Sequence, residues 1–173
     1  MEEIKYYYKN GQIREHYYEL NGQRQGEYKA WYPNGQLCSY RLYVNDKRHG
    51  ECKEWYDNGQ LRQQSHYEND KLHGERKIWH DNGKLNEHAH YTDGQLHGEY
   101  ERWFANGKLY IHSHYESDKL HGQYKFFNHN EEMIQSTFWV HGKEVTKQVD
   151  KLITDRYNIT QEERTLIKLA IGC

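Results

Sequence analysis

The residues of this chain best suited to chemistry are its histidines, thirteen in 173 residues. The densest set is His88-Ala-His90 with His112-Ser-His114, and His66 precedes them at a related spacing. Residues i and i+2 of a strand point to the same side, so each pair forms an imidazole patch if these segments are extended. Such a patch can ligate a metal, move protons or act as a pH-sensitive surface. A second set, His49, His73, His97 and His121, recurs every 24 residues immediately ahead of a glycine. At about 9.6 Å, two strand spacings, these four cannot share an ion whose bonds to nitrogen are about 2.0–2.1 Å. They are read as turn-forming residues.

No cysteine or carboxylate at ligand spacing along the chain joins the first set. No metal site and no cofactor are therefore assigned, and His88, His90, His112 and His114 are the residues that would compose a metal site. A metal-dependent hydrolase built on them stands as one alternative. The chain has no Gly-x-Ser-x-Gly, no phosphate-binding glycine loop and no His-Glu-x-x-His, the patterns that mark nucleophilic, nucleotide and zinc sites. Cys38 and Cys52 are expected on consecutive strands, offset by about four residues, too far apart to bridge. Glu27, Glu51, Glu75 and Glu99 form an acidic column beside a basic one of Lys29, Lys53, Lys77 and Lys125, which Glu101 interrupts. Two residues apart on one side, their fields largely cancel, giving a solvated ladder of ion pairs. A catalytic site would break the repeat with a unique polar cluster in a pocket. None stands out, so the chain is read as non-enzymatic.

The elements that position these residues follow from a period of 24. Asn-Gly occurs at Asn10, Asn34, Asn58, Asn82 and Asn106, and a second glycine column holds Gly26, Gly50, Gly74, Gly98 and Gly122. Trp31, Trp55, Trp79 and Trp103 form a column continued by Phe127. Ile13, Leu37, Leu61, Leu85 and Leu109 form another, and Tyr43, Tyr67, Tyr91 and Tyr115 a third. Asn-Gly between apolar stretches signals a two-residue hairpin turn, and the segments ending in His-Gly read as a longer turn. The intervening segments, such as GEYKAWY and QLCSYRLYV, are short, alternating and rich in aromatics, as strands are. Each repeat is thus one β-hairpin. The expected fold is mainly β, an elongated single antiparallel meander of about eleven or twelve strands. If Asn-Gly is a two-residue loop, Trp31 pairs with Cys38, and the Trp and Leu columns lie on opposite faces. A bulge would reverse this.

The pattern resembles the MORN repeat, in the variant form found in bacterial antitoxin-like proteins and some viral proteins. The residues that carry the resemblance are the Asn-Gly-Gln/Lys-Leu turn, the Tyr column after it, the His-Gly-Glu segment and Trp31–Tyr32 with its copies. It covers residues 5–142. It implies a curled, elongated sheet of hairpins with an interaction or scaffold role, and lipid-head-group binding in some members. The chain departs from the eukaryotic form, which has more glycine where Glu27-Tyr28-Lys29-Ala30-Trp31 stands here.

Residues 1–142 are read as the repeat array, with units starting near 10, 34, 58, 82 and 106 and a degenerate one near 130. Residues 143–173 are read as a two-helix cap. Val145, Val149, Leu152 and Ile153 share one helical face. Thr160 to Glu163 spell a capping box, and Leu166, Ile167, Ala170 and Ile171 continue the second helix. These helices either close the last strands or dock a partner.

A net charge of −2 and a pI near 6.7 argue against a nucleic-acid partner. No apolar run reaches the length of a membrane helix. The opening MEEIKYYYKNG is too polar for a leader peptide. An odd, irregular set of three cysteines suggests a reduced, cytoplasmic setting. The functional expectation is a non-catalytic protein–protein interaction or scaffold module that uses an aromatic-striped sheet. Its partner is another protein or a second copy, joined through the C-terminal helices or a sheet edge. Trp31, Trp55, Trp79, Trp103, Tyr40, Leu42, Tyr110 and Ile111 are the candidate contacts. A peripheral phospholipid-binding adaptor is the alternative.

Overall fold

The structure, a computed structural model, describes residues 1–145. They form one antiparallel sheet of fourteen strands in which hydrogen-bonded neighbours follow chain order. The strands are β1 (Glu2–Tyr7), β2 (Ile13–Leu20), β3 (Gln23–Trp31), β4 (Leu37–Val44), β5 (Lys47–Trp55), β6 (Leu61–Glu68) and β7 (Lys71–Trp79). They continue with β8 (Leu85–Thr92), β9 (Gln95–Trp103), β10 (Leu109–Glu116), β11 (Lys119–Leu120), β12 (Gly122–Phe127), β13 (Met133–Val140) and β14 (Lys143–Glu144). The count exceeds the expected eleven or twelve for three reasons. The array begins with β1, one strand position is split into β11 and β12 at His121, and β14 closes the end. Most of the expected two-helix cap lies outside the described residues. Its first positions, Lys143 and Glu144, are strand rather than helix.

The two turns of each repeat exchange the roles that the sequence suggests. The two-residue loops are not at Asn-Gly but at Asn45–Asp46 (φ 51° and 65°), Asn69–Asp70 (51° and 68°) and their equivalents. Both central residues lie in the left-handed region, as a type I′ turn requires. Short polar side chains tolerate that conformation best. At Asn-Gly the loop has three residues. The Tyr32 N–H donates to Gln36 O (2.8 Å) and the Gly35 N–H to Tyr32 O (2.9 Å), with Gly35 at φ 86°. This is a type I turn followed by a glycine bulge. Trp31 therefore pairs with Leu37, while Ala30 pairs with Ser39. The expected pairing of Trp31 with Cys38 is displaced by one residue. The Trp and Leu columns consequently share a face.

The second glycine column is not a turn either. Gly50 sits inside β5 at φ 102°. There His49, Gly50 and Glu51 stand opposite Leu42 alone, between the pairs Tyr43–Arg48 and Arg41–Cys52. His49 and its copies thus belong to a strand bulge instead of shaping a turn. Bulges bend and twist the strand that carries them. Repeated in every hairpin, they curl the sheet in one sense.

The register assigns all the buried residues to one face. Ala30, Ser39, Tyr43, Cys52, Ser65, Ala89 and Ser113 are at most 9% exposed, and pairing places them on the same side. No second layer covers this inner face among the described residues. Tyrosines close over its small central residues, with ring centroids 6.0 Å apart for Tyr28–Tyr43 and 5.6 Å for Tyr100–Tyr115. The exposed edge strand β1 carries Glu2, Glu3 and Lys5, charges that discourage edge-to-edge pairing.

Candidate functional site

The outer face carries the histidines. On β7 and β8, Glu75 pairs with His90 and Lys77 with His88. On β8 and β9, His88 pairs with Glu101. On β9 and β10, His112 pairs with Glu101 and His114 with Glu99. Imidazoles and carboxylates therefore alternate across four strands.

The carboxylate that the sequence reading denied to the His88–His90 pair is Glu75. Its Oε1 lies 3.5 Å from His88 Nε2 and 3.6 Å from His90 Nε2. Lys77 Nζ occupies Oε2 at 2.6 Å. On its other side, His88 Nδ1 is 3.5 Å from Glu101 Oε2. His112 and His114 instead engage the two separate oxygens of Glu99, at 3.1 and 3.4 Å. The signal that finds Glu75 is in the sequence, since folding about Asn82–Gly83 sets residue 75 against residue 90. Finding Glu101 requires the bulge at Gly98, which shifts the β8–β9 register.

Glu75 is held below the ordinary carboxylate range, first by the hydrogen bond from Lys77, against an opposing contribution from burial, with His88 and His90 adding to the lowering. It stays an anion facing two imidazoles. One donor atom from each of Glu75, His88 and His90 falls within 4.8 Å of the others. Glu116 at the end of β10, His121 between β11 and β12, and His141 of the last two-residue loop make a second such group. Beside the outer-face lattice, a groove of about 420 Å³ is lined by His73, His90, His97, Glu99 and His114, among others. This arrangement can bind a cation or buffer protons. The Glu–Lys ladder expected from sequence is present, at 2.6 Å for Lys29–Glu27 and 2.8 Å for Lys53–Glu51.

Of the candidate contacts, Trp31, Trp55, Trp79 and Trp103 all lie on the outer face, paired with Leu37, Leu61, Leu85 and Leu109. Tyr40 and Leu42 join them there, opposite Lys29 and Glu27. Tyr110 is the unpaired bulge residue of β10, stacked on Phe104 at 4.5 Å. Ile111 pairs with Arg102 on the inner face, on the opposite side from the other candidates. The bulge at Tyr110 puts Leu109 and Ile111, two residues apart, on opposite faces.

The inner face holds polar residues that the sequence reading did not single out. Glu87 is bound by Arg76 at 2.7 Å and by the Tyr100 hydroxyl at 3.1 Å. Burial pushes the Tyr28 phenol up to about 12. It also raises the thiols of Cys38 and Cys52, the opposite of what activates a nucleophile.

A search of the curated proteins finds no match to the chain. The family model of the MORN repeat variant matches residues 24–45, 48–69, 72–93 and 96–117, just over half of the sequence. Repeats of this family often act as protein- or membrane-interaction modules and are generally non-enzymatic. Each matched window opens beside a strand bulge, crosses the three-residue Asn-Gly loop and ends at the first residue of the two-residue loop, in four successive repeats, and on that basis the chain belongs to the MORN repeat variant family.

Proposed function

We propose that this chain is a non-catalytic docking module that presents the outer face of its sheet to a protein partner. The observation that carries this reading is the asymmetry of the sheet. Among the described residues all buried ones lie on the inner face, whereas the outer face leaves its Trp and Leu columns part-exposed along the array. Half-buried aromatics framed by charge are what protein interfaces use as anchors.

The outer face is also graded. Tyr18, Tyr40 and Leu42 stand where later units place His66, His88, His90, His112 and His114. The first two units thus carry the apolar part of the surface. The Glu–Lys ladder neutralises itself locally, which weakens attraction to anionic lipid.

The test is affinity purification from the native cell with the whole chain as bait, beside a Tyr40→Ser/Leu42→Ser variant, together with flotation on phosphatidylserine vesicles. The expected result is a protein retained by the wild type, depleted by the variant, and no flotation. Flotation without a recovered protein would replace this reading with the membrane adaptor.

A further inference from the structure

We infer that Glu75, His88 and His90 bind one divalent transition-metal ion of the zinc class on the outer face, with Glu101 positioning His88. The inference does not depend on the identity of any partner.

Three features converge. First, both Nε2 atoms approach the same oxygen, Glu75 Oε1, at 3.5 and 3.6 Å. Ligands about 2.0–2.1 Å from a tetrahedral ion are about 3.3 Å from one another, so Glu75 already stands near ligand spacing from both rings, while the two imidazoles close from a separation within 4.8 Å. Second, the buried Nε2 of His88 has no hydrogen-bond partner. Its nearest polar neighbour, Glu75 Oε1 at 3.5 Å, is too far for a full hydrogen bond, and a bound ion would supply the interaction that burial removes. Third, His88 Nδ1 faces Glu101 Oε2 at 3.5 Å. A carboxylate on the far nitrogen orients a ligating imidazole and raises its basicity.

The repeat shows why the site belongs here. Glu101 stands where the other units have Lys29, Lys53, Lys77 and Lys125. The single break in the basic column therefore falls opposite His88. One unit later the same place is Lys125, which pairs with His112. There the two imidazoles also divide between separate oxygens of Glu99. Lys77 remains on Glu75 Oε2, leaving Oε1 for the ion. Two imidazoles and one carboxylate suit zinc, nickel or copper better than calcium or magnesium. Three protein ligands leave a fourth position, which water takes on this solvent-facing side.

The experiment titrates Co²⁺ into the untagged full chain and reads the visible d–d absorption of a tetrahedral ion, followed by displacement with Zn²⁺. We expect a saturable band without thiolate charge transfer. Glu75→Gln and His90→Gln should abolish it. Glu101→Gln should weaken binding about 10–100-fold, as loss of an orienting partner does. His121→Gln, in the second cluster, should leave it unchanged. Circular dichroism of each variant verifies the sheet. The inference is overturned if no band forms, if the band survives in Glu75→Gln and His90→Gln, or if only His121→Gln removes it.

Discussion

The hydroxyl of Tyr32 donates to the backbone carbonyl of Trp55 at 2.7 Å, and the same tie joins Tyr8 to Trp31 and Tyr56 to Trp79. Each phenol leaves its own hairpin and fastens the next. At the fourth position His80 replaces tyrosine and keeps the bond, its Nε2 3.0 Å from Trp103 O. Because that carbonyl only accepts, Nε2 carries the proton, and Nδ1 is left to the Asn86 amide at 3.3 Å. At Phe104 the tie ends, and the ring stacks between Tyr110 and His129. Repeat arrays derive stability from such nearest-neighbour terms.

Tyr56→Phe keeps the ring and removes the donor. The Trp79 carbonyl then loses its partner, at a cost of about 1 kcal/mol. Urea denaturation should show a lower midpoint with an unchanged slope. An unchanged midpoint would mean that the phenol ladder is decorative.

Ala89→Leu should destabilise for a different reason. Ala89 is 0% exposed, in the central line of small inner-face residues. Extra methylenes in a closed site force neighbours off their rotamers, typically by about 1–3 kcal/mol. The exposed Gln95→Ala on the adjacent strand should stay within about 0.5 kcal/mol. Comparable midpoints for the two variants would show that the inner face is not tightly packed.

The hairpin period, the meander and the Glu–Lys ladder are readable in the sequence because column identity alone determines them. The turn types are not. Asn-Gly suits both a two-residue loop and a type I turn with a glycine bulge, and only the hydrogen bonds at Tyr32 and Gly35 decide between them. That one-residue difference moved the Leu column onto the Trp face. The glycine of His49-Gly50 also serves turn and bulge equally, and reading it as a turn concealed the partnership of His88 with Glu101. Column position likewise does not show that Ile111 faces inward, since the bulge at Tyr110 interrupts the simple alternation of sides.

Acid should weaken the two-residue loops. Asp46 accepts the Arg24 backbone N–H at 3.0 Å and the guanidinium at 2.9 Å, and Asp70 does the same for Arg48. Both carboxyls lie below their ordinary value. The backbone hydrogen bond of Arg24 is the largest cause for Asp46, and the side-chain bond of Arg48 for Asp70. The unfolded chain therefore binds more protons than the folded one just below about pH 4. The stability from these loops is complete above that value and is lost as the pH falls through the folded-state values. Asp46→Asn/Asp70→Asn should flatten the fall in stability between neutral and acidic pH. It should not remove it, because Glu27 and Glu75 are also lowered, each first by its neighbouring lysine. Parallel pH profiles for wild type and variant would contradict the assignment.

Gly98 links the bulge to the histidines, and Gly74 supplies its control. Both have positive φ, 106° and 84°, so alanine at either costs about 1–2 kcal/mol in backbone conformation. A Cβ at Gly74 meets nothing within 4 Å, but at Gly98 it stands 3.3 Å from His90 Cβ. Gly98→Ala should therefore cost more than Gly74→Ala and displace the His90 ring. Denaturation midpoints measure the first effect, and histidine ring resonances the second, with His90 moving and His112 still. Equal costs with an unmoved His90 would mean that the bulge and the imidazole cluster are mechanically independent. A larger cost with a moved ring would show that one glycine holds both the curl of the sheet and the spacing of His90 from Glu75.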